Sequence, residues 1–146
     1  MINLDQTKDE SLKPDFFTEE AARFFAALNV PIFKSKEQAG DFIETFDATI
    51  DTLVSEMKDM ATTYSDETIL LFGSALGEAL RIVFDASWEY SDAQNRWVIS
   101  RKTLKGDKVE FNVFRKLKKR IENGMDDSIG YYFVVNKKII SGELAA

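Results

Sequence analysis

The sequence contains no cysteine and no histidine. Without cysteine, disulfide bonds, thiolate zinc sites and thiol nucleophiles are excluded. Without histidine, the commonest general base and the commonest protein ligand of metal ions are missing. These absences favour a binding protein over an enzyme, and we expect neither a metal site nor a cofactor.

The chain also lacks a long apolar run. Glu78 and Arg81 interrupt the most apolar segment, so no stretch reaches the roughly 18 residues that span a bilayer. The opening stretch MINLDQTKDESLKPDFF has neither the basic start followed by an apolar run nor the cleavage site of a signal peptide. We therefore expect a cytoplasmic protein with no membrane partner.

The length and the apolar content indicate one domain. The chain has 146 residues, of which 45% are hydrophobic, enough to bury a core without disulfides or metals. The first dozen residues are polar and show no periodicity, which is typical of a mobile terminus. We expect a flexible N-terminal arm over residues 1–15 and a single domain over residues 16–146.

The hydrophobic periodicity predicts helices first, then strands, then one or two further helices. Alternation begins at Trp88 and continues through two turns to Phe111, which predicts a three-stranded antiparallel meander. The fold class is therefore α+β, with N-terminal helices packed on a small antiparallel β-meander and one or two C-terminal helices. Residues 131–140 are compatible with either a helix or a strand. Polar capping residues predict the starts of four helices: Thr18, Ser35, Ser65 or Asp66, and Asn112.

The third predicted helix, TILLFGSALGEALRIVF, is apolar nearly all round and contains two glycines on one face. Each glycine costs about 1 kcal/mol relative to alanine in a helix interior, so we expect another backbone to approach this face closely. The glutamate that follows the second glycine needs a cationic partner, for which Arg81, Arg101 and Arg120 are candidates. The residues predicted to have structural roles are Gly73, Gly77, Glu78, Trp88 and Trp97.

Charge is distributed unevenly along the chain. Residues 1–95 hold 7 basic and 19 acidic residues, whereas residues 96–146 hold 12 basic and 6 acidic ones. This pattern indicates an acidic face for a basic partner, a basic face for an anion, or two halves that attract each other within one fold. For the first possibility the predicted partner-binding residues are Asp41, Glu44, Asp47, Asp51, Glu19 and Glu20. Neutralising the four acids from Asp41 to Asp51 should then weaken binding and leave the fold intact.

The alternative site is the basic helix over residues 113–122, whose sequence is VFRKLKKRIE. Its cations would form a patch able to bind an anion or a nucleotide, which would make the protein a regulatory module. The predicted anion-binding residues are Arg115, Lys116, Lys119 and Arg120. Nucleic acid is disfavoured as a partner, because the protein is acidic overall and aromatic residues are not interleaved with this patch.

The region between Gly73 and Tyr132 resembles a family of small bacterial proteins described as a domain of unknown function. Its pattern is Gly-x-x-x-Gly-Glu, a following Trp, a Phe-x-Lys-x-x-Lys-Arg helix and Asn-Gly-x-x-Asp-Ser, in that order. Small acidic proteins of this kind resemble immunity proteins, which neutralise toxins delivered between bacteria, including those of type VI secretion. The resemblance implies a cognate protein toxin as partner, and it leaves a monomer and a homodimer both open. The matching positions are Gly73, Gly77, Glu78, Trp88, Trp97, Phe114, Lys116, Lys119, Arg120, Asn123, Gly124, Asp127 and Ser128.

Overall fold

The computed structural model of the protein describes residues 4–60 and 64–143. Helices precede and follow an antiparallel sheet, and the predicted α+β fold is confirmed. Short 3₁₀ segments cover Leu4–Lys8 and Gly124–Asp127. The remaining elements are α1 (Asp15–Ala27), α2 (Lys36–Asp59), α3 (Asp66–Phe84), β1 (Ser87–Ser91), β2 (Arg96–Lys102), β3 (Lys108–Phe111), α4 (Val113–Asn123) and α5 (Ile129–Ile140).

Three of the predicted capping residues start their helices. The Ser35 hydroxyl accepts a hydrogen bond from the Gln38 amide at 3.1 Å, and the Ser65 hydroxyl accepts one from the Thr68 amide at 3.2 Å. Asn112 does the same for α4 through its side-chain oxygen. Each cap satisfies an amide that has no partner within the helix.

The predicted cap at Thr18 is wrong, because α1 begins three residues earlier, at Asp15. Pro14 precedes the helix with a φ of −52°, which is already helical, and its side chain makes no capping hydrogen bond. Proline is favoured at a helix start because its φ is fixed near the helical value and its missing N–H is not needed there. Thr18 therefore lies inside the first turn of α1.

Helix α3 is the central element of the core. It contacts α1, α2 and α4, and it also contacts the first two strands. Most of its side chains between Ile69 and Leu80 are buried. This agrees with the nearly continuous apolar character of its sequence.

The three strands form an antiparallel meander in the order β1, β2, β3. Trp88 pairs with Ile99, which in turn pairs with Phe111, so three large side chains form a row on one face of the sheet. Phe17 of α1 stacks on Trp88 with ring centroids 4.3 Å apart. The N-terminal helices therefore pack on the aromatic face of the sheet.

The segment before α1, which belongs to the predicted flexible arm over residues 1–15, packs on the domain through residues 7, 9 and 12. Thr7 is fully buried, and Leu12 packs against the main hydrophobic core. The indole N–H of Trp97 donates a hydrogen bond to the carbonyl of Asp9 at 2.8 Å. A buried indole needs such an acceptor, and the N-terminal segment supplies it. Residues 1–3 of the predicted arm lie outside the described ranges.

Residues 131–140 are helical and belong to α5. The Ser128 hydroxyl caps this helix by accepting a hydrogen bond from the Tyr131 amide at 3.1 Å. Ile129, Phe133 and Ile140 are buried at helical spacing. The buried stripe shows that the apolar run YYFVV faces the core on one side only, as an amphipathic helix does.

Candidate functional site

The acidic residues of α2 form two groups with different surroundings. Asp41 and Glu44 are exposed, and neither side chain makes a hydrogen bond or an ion pair within the part of the chain that the structure describes. Asp47 and Asp51 lie further along the helix and both contact Arg120 of α4. The predicted partner-binding acids on α2 are therefore not equivalent.

Asp47 is the centre of a hydrogen-bond network that joins α2, α4 and α5. One carboxylate oxygen accepts hydrogen bonds from Arg120 Nε at 2.7 Å and from the Ile129 amide at 2.9 Å. The other oxygen accepts from the Ser128 hydroxyl and the Gly130 amide, both at 2.9 Å. Asp47 thus neutralises a buried guanidinium and also binds the N-terminus of α5, where backbone amides favour a negative charge.

The surroundings of Asp47 favour its ionised form. Burial alone would raise its pKa, but the amides of Gly130 and Ile129, the Arg120 guanidinium and the Ser128 hydroxyl outweigh burial and hold the pKa below its ordinary value of 3.8. Arg120 is only 1% exposed. Burial would lower the pKa of Arg120, yet its hydrogen bonds to Asp51 and Asp47 raise it, so the guanidinium stays charged.

The predicted basic patch on α4 is not formed as one surface. Arg120 is buried against α2, and Lys116 donates to the Asp127 carboxylate at 3.3 Å while lying over the ring of Tyr132. Arg115 and Lys119 remain exposed. Burial therefore separates Arg120 from the exposed cations of α4, and two of the four predicted anion-binding residues neutralise acids of the same chain.

A signal for the burial of Arg120 is present in the sequence. Arg120 follows Leu117 by three residues, and Leu117 follows Val113 by four, so all three lie on one face of α4. Val113 and Leu117 are fully buried. The sequence gives no comparable signal for the hydrogen bonds from Ser128 and its neighbours to Asp47, because the two segments are about 80 positions apart in the chain.

The two predicted acids of α1 also differ. Glu20 is buried, and its carboxylate accepts a hydrogen bond from Arg23 at 2.8 Å. Arg23 in turn donates to Glu67 at the start of α3. Glu19 is exposed and has no hydrogen bond or ion pair with the described part of the chain. Glu20 is therefore paired inside the fold, whereas Glu19 is exposed and unpaired among the described residues.

The structure assigns Arg81 as the partner of Glu78. Arg81 Nε donates to the Glu78 carboxylate at 2.7 Å, and the Trp88 indole donates to the same oxygen at 3.0 Å. The second oxygen accepts from Arg81 Nη2 at 3.2 Å. Glu78 therefore anchors β1 to α3.

Aromatic rings, rather than a backbone, approach the two glycines of α3. A methyl group at Gly73 would lie 2.5 Å from the ring of Phe114, and one at Gly77 would overlap the indole of Trp88. The expected close approach is found, but the approaching groups are side chains. A helix glycine thus makes room for each ring.

No cluster of three or more acidic residues suited to a metal ion occurs in residues 4–60 and 64–143. Within these ranges no helix has both the length and the apolar character needed to cross a membrane.

No family model matches the sequence, no curated protein matches it, and no solved structure matches the fold. The resemblance carried by the segment from Gly73 to Tyr132 therefore stays a prediction.

Proposed function

We propose that the protein is a cytoplasmic bacterial immunity protein that binds a basic toxin, of the kind delivered by type VI secretion, and occludes its active site. The observation that carries the proposal is the presence of exposed acids on α2, at Asp41 and Glu44, that have no partner within the described part of the chain. Such charges steer a basic partner to its docking site and make association faster and more specific.

The division of the acids defines the proposed surface. Asp47 and Glu20 are engaged in ion pairs inside the fold, and Asp51 gives one oxygen to Arg120. Asp41, Glu44 and Glu19 remain for a partner. The proposed interface is therefore centred on the N-terminal half of α2 rather than on the whole acidic helix.

A growth-rescue screen tests this function. Genome fragments from the source bacterium are expressed inducibly in cells with or without the chain, and fragments that arrest growth only without the chain are identified. We expect at least one rescued toxic fragment. A library that covers the genome and yields no rescued fragment would contradict the proposal.

Two charge-reversal variants locate the interface in the same assay. Asp41→Lys/Glu44→Lys should abolish rescue, whereas the matched control Asp92→Lys/Asp126→Lys should retain it. Asp92 and Asp126 are exposed acids on other parts of the fold, and both variants change the net charge equally. Equal loss of rescue in the two variants would show that rescue depends on the net charge of the protein and not on the acids of α2.

A further inference from the structure

A groove runs between α2 and the connection from α1 to α2. It encloses about 460 Å³ and is open to solvent. Its apolar lining comes from Phe25, Val30, Pro31, Ile32, Phe33 and Phe42. The volume lies within the range of sites that receive one or two large side chains or a small ligand.

Two large apolar side chains of the connection are exposed to solvent. Val30 is 45% exposed and Ile32 is 54% exposed, although Phe33 next to them packs into the core. The ring of Phe33 lies edge-on to Phe25 at 4.8 Å and to Phe42 at 5.1 Å. The connection is thus anchored by one aromatic residue while its neighbours stay uncovered. Exposed apolar groups clustered in this way are typical of interaction sites.

The α2 side of the groove is bordered by acidic residues. Asp41 lines it, and Glu37 and Glu44 lie one turn of α2 before and after Asp41, on the same helix face. None of the three carboxylates has a hydrogen bond or ion pair with the described residues. Lys34 is the basic residue among those that line the groove. The rim therefore favours a partner with positive charges beside an apolar side chain.

The dimensions fit a short helical segment of a partner. The α2 residues along the groove run from Gln38 to Thr45, which is about 10 Å at 1.5 Å per residue, or two turns of a helix. An amphipathic helix presents apolar residues at intervals of three and four, with basic residues on either side. A second copy related by a twofold axis through this face would bring Glu37, Asp41 and Glu44 of both copies close together, so charge disfavours a symmetric dimer here.

We propose that this groove is the anchoring site for a basic amphipathic helix of the protein partner, with an apolar side chain held between Ile32 and Phe42 and a lysine or arginine paired with Asp41. The inference rests on the proposed function and specifies the chemistry of the partner at that site. Apolar contact supplies most of the affinity, and the acidic rim supplies orientation and association rate.

The test is an NMR titration of the ¹⁵N-labelled full chain with a synthetic helical peptide of leucine and lysine, in which leucine recurs at spacings of three and four. We expect shift changes confined to residues 30–34 and 37–45. Ile32→Ser should raise the Kd about tenfold or more, since the loss of a buried aliphatic anchor is of that order. Asp41→Asn should weaken binding by a smaller factor and reduce its dependence on salt.

Matched controls make the result specific. Leu104 is 75% exposed on the β2–β3 turn, so Leu104→Ser removes a similar exposed side chain away from the groove and should leave the Kd unchanged. A peptide with glutamate in place of lysine should bind more weakly than the lysine peptide, because its carboxylates would face Asp41 and its acidic neighbours. Equal effects of Leu104→Ser and Ile32→Ser, shift changes spread over the whole chain, or equal affinity for the glutamate and lysine peptides would each overturn the inference.

Sedimentation of the chain alone tests whether a second copy of the chain occupies the groove. If the chain forms a dimer and Ile32→Ser abolishes that dimer, the groove binds a second copy instead of a partner helix, and the proposal is overturned. The titration uses no toxin, so the two proposals can fail separately. If the peptide does not bind but growth rescue succeeds, the groove is not the anchoring site and the proposed function stands. If growth rescue fails but the shift changes are confined to the groove, the groove binds such helices and the proposed function is contradicted.

Discussion

At the residue scale, Asp47 is the acid on which the fold depends most. Its carboxylate accepts four hydrogen bonds, from α4 and from the start of α5. Without Asp47, the buried Arg120 keeps the exposed Asp51 as its acidic partner, and three donors at the start of α5 lose their acceptor, which should together cost about 3 kcal/mol. We therefore expect that simultaneous neutralisation of the four α2 acids destabilises the fold, because Asp47 is one of them.

We predict that Asp47→Ala lowers the free energy of unfolding by about 3 kcal/mol, whereas Asp41→Ala changes it by less than about 0.5 kcal/mol. Both variants remove an aspartate from the same helix, so the difference between them reports the hydrogen bonds of Asp47. Urea unfolding followed by circular dichroism at pH 7 measures both. Similar unfolding midpoints for the two variants would show that the Asp47 network does not stabilise the fold.

The difference between wild type and Asp47→Ala should depend on pH. The folded-state pKa of Asp47 lies below its ordinary value of 3.8, so the unfolded chain takes up this proton first as the pH falls. The stabilising contribution is therefore complete well above pH 3.8 and is lost as the pH drops through the folded-state pKa. Unfolding curves of the two proteins, compared at about pH 7, 5, 4 and 3, should converge towards the acid end, and a constant difference would contradict the assigned ionisation.

At the scale of single elements, the sequence predicts helix starts well where the capping contact is local. Ser35, Ser65 and Asn112 each contact an amide three residues ahead. The start of α1 is harder to predict, because Pro14 begins that helix without any side-chain cap. The helical state of α5 depends partly on Asp47 of α2, which is distant in sequence. Local propensity therefore leaves residues 131–140 undecided between helix and strand.

The glycines in α2 and α3 give a matched pair of substitutions. A methyl group at Gly77 would overlap Trp88, whereas one at Gly40 would meet no atom within 4 Å. Gly77→Ala should lower the free energy of unfolding by about 1–3 kcal/mol, because the added methyl group overpacks the core. Gly40→Ala should raise the free energy of unfolding by about 0.5–1 kcal/mol, since only the helix propensity changes. Thermal unfolding measures both, and stabilisation by Gly77→Ala would show that Trp88 is free to move aside.

At the scale of the whole molecule, the acidic and basic halves of the chain are partly neutralised by ion pairs between them. Arg120 from the basic half pairs with Asp47 and Asp51 from the acidic half, so part of the asymmetry holds the fold together. The sequence indicates this possibility but cannot select the pairs, since each joins residues about 70 positions apart. The acids at Asp41 and Glu44 take no part in this pairing. They are the basis for proposing a basic partner.

The proposed role of the α2 acids is tested most directly by the rate at which the chain associates with a toxin identified by growth rescue. The measurement compares wild type, Asp41→Asn/Glu44→Gln and the control Asp92→Asn/Asp126→Asn by stopped-flow at low salt. Electrostatic steering changes association rates by factors of about 10 to 1,000, so we predict at least a tenfold slower rate for the α2 variant and little change for the control. Equal association rates for all three proteins, with their unfolding midpoints unchanged, would contradict the claim that the exposed acids of α2 receive the partner.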